Sequence, residues 1–310
     1  MNKLLIVPDV HGRTNWEQAV ERTSFDKVVF LGDYLAPYPF DMVYYNISKS
    51  GSIENFKNIL AYKRKNEDKT ILLIGNHDCT YLYGRNVCDS RNDNERFDEI
   101  QDLYRKNRNL FQMVWETTMR KQRYVFSHAG ISIGWMDRYA KGWTTENMVA
   151  MLNQMNADAL SEPEPKNTPF ANALAVRGKY RHSDEDYASP VWMDAELLHE
   201  SPQLPGLIQV VGHTQRISWC PVFTPTVIYT DCGGNTFILN DYGTIRDMNG
   251  KICKNEDKDP FNPEGSHSGI GFDCFERPYC RKCGSRDIFV RAGMMANTYS
   301  CNNCGVKEYR

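Results

Sequence analysis

Five short segments of this 310-residue chain carry residues able to hold a metal ion or move a proton. They read Asp9-Val10-His11, Gly32-Asp33, Gly75-Asn76-His77-Asp78, Ser127-His128-Ala129-Gly130 and Gly212-His213-Thr214. Each alone has an ordinary structural explanation, since Asp-x-His can cap a turn and Gly-Asn is turn chemistry. Together, Asp9, His11, Asp33, Asn76, His128 and His213 make two carboxylates, three imidazoles and one amide oxygen. Nitrogen and oxygen donors without thiolate suit Mn2+, Fe or Zn2+. Two carboxylates can hold two divalent ions if one of them bridges. Two ions about 3.5–4 Å apart stabilise both the attacking and the leaving oxygen in phosphoryl transfer.

A second donor set stands apart. Cys280-x-x-Cys283 and Cys301-x-x-Cys304 are separated by 17 residues, and each pair is followed by a glycine, Gly284 or Gly305. Two such knuckles offer four sulfurs to a tetrahedral Zn2+. A closed four-sulfur site has no open position, so this zinc is expected to be structural, replacing a core that so short a tail cannot build. The other six cysteines, at 79, 88, 220, 232, 253 and 274, lack metal spacing and read as small buried apolar residues.

The elements that must position the first set can be read around it. Each segment closes a β-rich run: Lys3–Asp9, Lys27–Asp33, Thr70–Asn76, Arg123–His128 and Leu207–His213. Ile53, Phe56, Ile59 and Leu60 step at helical spacing behind Ser52 as N-cap, and Phe97, Ile100, Leu103, Tyr104 and Phe111 suggest a second helix. Met148, Met151, Leu152 and Met155 mark a third helical face, read as core. Strand–helix alternation argues for an α/β fold with a partly parallel sheet, and a hairpin around Met119–Gln122 makes the sheet arrangement mixed. Ligands bind outside the carboxyl ends of such strands, so residues about two hundred positions apart can converge there. Residues 161–190, with Pro163, Pro165, Pro169 and the acidic Asp184–Asp186, read as an irregular insertion near the site. Thr226–Asp231 and Thr236–Asn240 read as late strands around Gly233-Gly234. The expected organisation is an enzyme domain over 1–250, a linker over 251–276 and a zinc ribbon over 277–310.

Composition sets the outer limits. With 41% hydrophobic, 12% aromatic and 25% charged residues, the chain is a folded one and not a disordered one. It has no apolar run near the roughly 18–20 residues a membrane span needs. The apolar stretch Leu4 to Val7 is too short for a secretory signal, so the expectation is a cytoplasmic protein without a membrane partner. The formal net charge of −2 hides a division. Arg277 to Arg310 carries seven basic and two acidic residues, net +5, leaving −7 on the remainder. A basic tail keeps nucleic acid open as a partner.

The order of the five segments resembles the calcineurin-like metallophosphoesterases, over roughly residues 1–245. The resemblance implies a sandwich of two mixed β-sheets flanked by helices. It implies that Asp9, His11 and Asp33 hold one metal, and that Asp33 bridges to a second completed by Asn76, His128 and His213. His77 would be the general acid, with Asp78 beside it. Nuclease and cyclic-phosphodiesterase branches typically end in Gly-His-x-His, but here Gln215 stands in the second histidine's place. With Gly32-Asp33-Tyr34, Ser127-His128-Ala129-Gly130, Val191-Trp192-Met193-Asp194 and Tyr229-Thr230-Asp231-Cys232-Gly233-Gly234, the chain is similar to the phosphoprotein phosphatase branch. Its bacterial and phage-type members and the related diadenosine tetraphosphate hydrolases are included in that likeness. One departure stands out. Where the family reads Gly-Asp-x-x-Asp-Arg, this chain has Ala36 and Pro37, removing the carboxylate that orients the catalytic histidine and an arginine that binds phosphate. Arg13, Arg177 and Arg181 are the remaining candidates for phosphate.

The expected activity is that of a metal-dependent phosphomonoesterase, in which a hydroxide bound by two metals, Mn2+ first and Fe or Zn2+ as alternatives, attacks phosphorus in line. A phosphorylated protein is the first substrate class. The alternative is a hydrolase of dinucleoside polyphosphates or nucleic-acid terminal phosphates. A catalytically impaired metal-binding interaction protein, suggested by Ala36 alone, ranks last. Sequence leaves the oligomeric state open.

Overall fold

The computed structural model describes residues 3–38, 47–85, 87–88, 90–181, 183–216, 220–253 and strand segments at 270–272, 278–280, 288–291, 298–301 and 307–309. Two compact units divide the chain, Met1–Lys254 and Asn255–Arg310.

In the first unit, β1 (Lys3–Val7), β2 (Lys27–Phe30), β3 (Thr70–Leu73) and β4 (Phe111–Gln112) run parallel. The crossovers between them carry α1 (Asn15–Arg22), α2 (Lys49–Lys65), α3 (Asn76–Tyr83) and α4 (Phe97–Lys106). The hairpin β5 (Val114–Met119) and β6 (Gln122–Ser127) opens a second sheet. Then follow α5 (Ile133–Tyr139), α6 (Met148–Ser161), α7 (Pro169–Leu174) and α8 (Ala195–Glu200). The second sheet is completed by β7 (Leu207–Val211), β8 (Val222–Phe223) and β9 (Val227–Tyr229) in the order β5-β6-β7-β9-β8. The chain then returns to the first sheet as β10 (Phe237–Asn240) and β11 (Ile245–Asp247), giving β11-β10-β1-β2-β3-β4. Both sheets are mixed, because β10 and β11 are antiparallel to their neighbours, as are β5 and β8.

The period-2 pleat explains why the parallel strands are apolar throughout. Leu4, Ile6, Val29, Leu31 and Leu73 pack with Tyr124, Phe126, Val210 and Ile228 of the second sheet, forming the sandwich core. The alternate residues Leu5, Val28, Phe30 and Leu72 are fully buried as well. Beside them, Trp16 of α1 meets Phe30 with ring centroids 5.6 Å apart, and Phe56 of α2 stacks on Tyr104 of α4 at 4.6 Å.

Several local expectations need correction. Helix α2 begins a turn earlier than the apolar spacing implied: Ser48 is the N-cap and accepts from Gly51 N at 2.9 Å, while Ser52 lies inside the helix. Phe111 lies in β4, not in a helix with Phe97. Its offset of about four turns imitates helical spacing, but α4 stops at Lys106, where Asn107 donates its side-chain amide to Leu103 O at 2.7 Å. The region 161–190 is not irregular throughout, since Thr168 caps α7 through Ala171 N. The two expected late strands are present as β9 and β10, one in each sheet.

The second unit contains an antiparallel pair, β12 (Ile270–Phe272) with β13 (Pro278–Cys280), and an antiparallel meander of β14 (Ile288–Arg291), β15 (Thr298–Cys301) and β16 (Lys307–Tyr309). Strand β12 falls within the stretch read as linker. Cys280 and Cys301 are each the last residue of a strand, while Cys283 and Cys304 lie outside the described residues. Among the described residues no helix is long and apolar enough to cross a membrane.

Ile6→Ala removes a side chain at the centre of the sandwich core and should cost roughly 2–5 kcal/mol. Urea unfolding of the purified protein measures this, and a smaller loss would mean that the two sheets pack less tightly than described.

Candidate active site

All five segments meet above the carboxyl ends of β1, β2, β3, β6 and β7. The strands stop two or more residues short of most of the polar residues, which therefore sit on tight turns. His11, Asp33, Ala36 and His213 adopt left-handed backbone angles, with φ of 44°, 53°, 62° and 66°. A non-glycine residue held there costs roughly 1–3 kcal/mol, so the surroundings must enforce it.

Asp33 is the most constrained of them. Its amide donates to Asp78 Oδ2 at 2.8 Å, and its carbonyl accepts from His11 N at 2.7 Å. Its Oδ1 accepts from His77 N, in the first turn of α3, at 2.9 Å. The other carboxylate oxygen, Oδ2, lies 3.8 Å from His11 Nε2, 3.5 Å from His128 Nε2 and 3.9 Å from His77 Nε2. Asp9 Oδ2 is 3.8 Å from His11 Nε2, while its Oδ1 accepts from His213 N at 2.9 Å and ties the two ends of the domain together. Two glycines make room for the carboxylates. A Cβ on Gly75 would lie 2.1 Å from Asp33 Oδ1, and one on Gly212 would lie 2.3 Å from Asp9 Oδ1.

Whether this set fits cations can be judged from its own hydrogen bonds. His128 Nδ1 is 2.8 Å from Leu31 O, so Nδ1 donates, and in that tautomer Nε2 turns a lone pair inward. That lone pair faces Asn76 Oδ1 at 3.0 Å, His213 Nδ1 at 3.1 Å and Asp33 Oδ2. His11 Nδ1 donates likewise to Leu35 O and Ala36 O, at 3.1 and 3.0 Å, leaving its Nε2 toward both aspartates. Ligand atoms thus converge on shared points, and His213 Nε2 is buried without a partner among the described residues. Burial, and then the charge of Asp231, push the Asp9 carboxyl well above its usual range; burial and Asp78 do the same to Asp33. Buried carboxylates are costly to ionise alone and become favourable beside a cation. The residues fit a divalent-metal centre, and His11, Asp33 and His77, or Asp33, His128 and His213, bring ligand atoms within 4.8 Å of one another.

The remaining expected site residues have distinct positions. His77 lies at the cluster, where burial, reinforced by the Arg91 guanidinium, lowers its imidazole to about 3, so the ring is neutral. Its Nδ1 is 2.9 Å from Arg91 O. The orienting partner missing at Ala36 is therefore supplied by a backbone carbonyl from another loop. Ala36 instead turns its own carbonyl onto His11. Asp78 forms no salt bridge among the described residues. It accepts from the amides of Gly75, Asp33 and Tyr34, at 2.7, 2.8 and 3.2 Å, and from Tyr104 Oη at 2.5 Å. Arg13 is buried and donates to Asp9 O at 3.0 Å. Arg177 lies over the Trp192 ring at 4.2 Å, and Arg181 pairs with both oxygens of Asp194 at 2.8 and 3.2 Å. Both arginines border a cleft of about 370 Å3 with Tyr139, Ser183 and Glu185. The Trp192 and His213 rings stand edge to face at 5.6 Å.

Sequence reasoning missed Arg91, Tyr38 and Tyr104. Tyr38 packs edge-on to the His11 ring at 4.6 Å, and no motif announces any of the three.

Residues 3–216 match the family described as calcineurin-like phosphoesterase. No curated relative matches the sequence. Among solved structures, the cold-active protein-tyrosine phosphatase of a psychrophilic Shewanella species is similar at 17% identity over 80% of each chain, with a TM-score of 0.46. A protein serine/threonine phosphatase from Saccharomyces cerevisiae is similar at 14% identity over 84% of this chain and 83% of that one, with a TM-score of 0.45. The phosphoesterase Yfce from E. coli is similar at 14% identity over 81% and 96%, with a TM-score of 0.35.

Two substitutions test this geometry. Gly75→Ala should displace the Asp33 carboxylate, reducing bound metal per chain by elemental analysis while circular dichroism stays unchanged. Tyr104→Phe removes a hydrogen bond to a buried carboxylate and should cost roughly 1.5–3 kcal/mol in urea unfolding.

Proposed function

The chain belongs to the calcineurin-like phosphoesterase family, a metal-binding hydrolase family built around two divalent ions, and on that premise we propose that it is a phosphomonoesterase acting on phosphorylated proteins. The observation that carries the reading is the ring of imidazole nitrogens around Asp33 Oδ2, 3.5 to 3.9 Å away. Asp9, His11 and Asp33 would hold one ion, and Asp33, Asn76, His128 and His213 the other, with Mn2+ the first choice and Fe or Zn2+ the alternatives. When bound, such ions lower the pKa of a water and neutralise charge developing on the phosphoryl oxygens.

The chain's own groups do the rest. His77 projects from the first turn of α3 with Nδ1 engaged by Arg91 O, which leaves Nε2 directed at the reacting region. It is neutral in the resting protein. Uptake of a proton at Nε2, favoured by an incoming phosphate dianion, equips it to protonate the leaving oxygen. Asp78 positions Asp33 and does not touch substrate. Arg13 steadies the Asp9 turn through its carbonyl, and Arg177 and Arg181 border the cleft on the Trp192 side.

Support for the phosphoprotein phosphatase branch, of bacterial or phage type, comes from Gln215 in place of a second histidine and from the Gly32-Asp33-Tyr34 and Ser127-His128-Ala129-Gly130 segments. The basic tail, net +5 from Arg277 to Arg310, supports hydrolysis of dinucleoside polyphosphates or nucleic-acid terminal phosphates as a second reading. In either, Cys280, Cys283, Cys301 and Cys304 form a structural zinc ribbon following the enzyme domain.

With Mn2+ the protein should hydrolyse a generic aryl phosphate, and a chelator should abolish turnover. His77→Ala should lower kcat by about 10²–10⁴ with two active-site ions retained; loss of an ion would make His77 a ligand instead. A panel of phosphopeptides, diadenosine tetraphosphate, phosphorylated RNA ends and cyclic nucleotides separates the substrate classes. Cleavage of cyclic nucleotides alone would overturn the branch assignment.

A further inference from the structure

A phosphate dianion entering this site meets carboxylates, so guanidinium groups decide whether it is held. The expected three are all engaged in the fold. Arg181 is matched by Asp194 through two hydrogen bonds, Arg177 lies over the Trp192 ring, and Arg13 is buried with Nη1 on Asp9 O.

Arg91 differs from them. It is half-buried, and among the described residues no carboxylate pairs with it. Its Nη1 lies a long 3.4 Å from Pro37 O, and its guanidinium carbon lies 4.0 Å from the centre of the Tyr38 ring. That ring is itself packed against His11. Arg91 thus stands one aromatic ring away from His11, and its own carbonyl lies 2.9 Å from His77 Nδ1. The loop holding it is anchored to α3. Thr80 Oγ1 donates to Cys88 O at 2.9 Å and lies 3.0 Å from Ser90 Oγ, and Tyr81 Oη accepts from Asp93 N at 2.9 Å. A guanidinium stacked on an aromatic face, on an anchored loop and without an acidic partner among the described residues, is pre-organised for an anion.

We propose that Arg91 grips the phosphoryl group of the substrate, making from a separate loop the contact that Pro37 cannot make. One loop then serves the reaction twice, through its carbonyl on His77 and its guanidinium on phosphate. The inference rests on the phosphoesterase reading above.

The test uses the full chain loaded with Mn2+ and inorganic phosphate as the probe, followed by calorimetry and by inhibition of aryl phosphate hydrolysis. Arg91→Ala leaves the backbone carbonyl on His77 in place. It should weaken phosphate binding about tenfold or more, the size of one charge-assisted hydrogen bond, with Mn2+ content unchanged. Arg91→Lys should recover part of the loss. Arg91→Met keeps a stem over Tyr38 without charge and should lose as much as alanine, which decides the matter if the alanine variant is unstable. Phosphate affinity within twofold of the unsubstituted protein in Arg91→Met, with metal retained, would overturn the proposal. A protein that hydrolyses phosphoesters while its Arg91 variants bind phosphate normally loses this inference and keeps the function. One that binds phosphate through Arg91 but turns over no phosphoester keeps this inference and loses the function.

Discussion

The site depends on Asp33 being held in a conformation it would not choose alone. Its amide and one carboxylate oxygen are bonded to the start of α3, through Asp78 and His77, and its carbonyl to His11 on the turn after β1. Only the remaining oxygen is left for the imidazoles around it. Asp78 in turn is held by Tyr104, which stacks on Phe56 in the aromatic packing between α2 and α4. Core packing and the position of the central carboxylate are therefore one continuous structure. A disturbance of the aromatic layer reaches the metal cluster through two side chains.

That arrangement is expensive without cations. Left-handed turns, carboxylates pushed toward their neutral forms and facing lone pairs are all unfavourable in the bare protein. Binding divalent ions removes much of this penalty, so stability and metal occupancy are linked by mass action. The folded state is one that the cluster strains and that its ligands relax.

The convergence of the candidate ligands was legible because each follows a strand, and strand ends in such sheets face one edge. Five short polar segments after β-rich runs marked Asp9, His11, Asp33, Asn76, His128 and His213 as candidate ligands, and the fold brings these side chains to one place. Backbone contributions were not legible. Nothing in the letters at 36 and 91 says that one carbonyl turns to His11 and the other to His77. The absence of a carboxylate at Ala36 suggested a poorly oriented histidine, whereas the fold supplies a carbonyl for that purpose. Asp78 looked chemical because it adjoins His77, yet successive residues in the first turn of a helix point in different directions, and this one points back to the loop amides. Arg91 lies in a loop without periodicity, and only tertiary structure brings it to the cluster. Phe111 and Ser52 misled for a simpler reason: apolar spacing continues across element boundaries that polar caps define.

The passage of the chain from β9 in one sheet to β10 in the other also orders events during synthesis. Strand β1 is among the first segments made, but its neighbour on one side, β10, comes more than two hundred residues later. Until Phe237–Asn240 has emerged, the β1 edge that it will cover has no partner, and an unpaired apolar strand edge invites association with other chains. The central strand of the first sheet thus waits longest for its full complement of hydrogen bonds. A ribosome stalled just before residue 240 would leave a nascent chain with all six candidate active-site ligands made and the β1 edge still open.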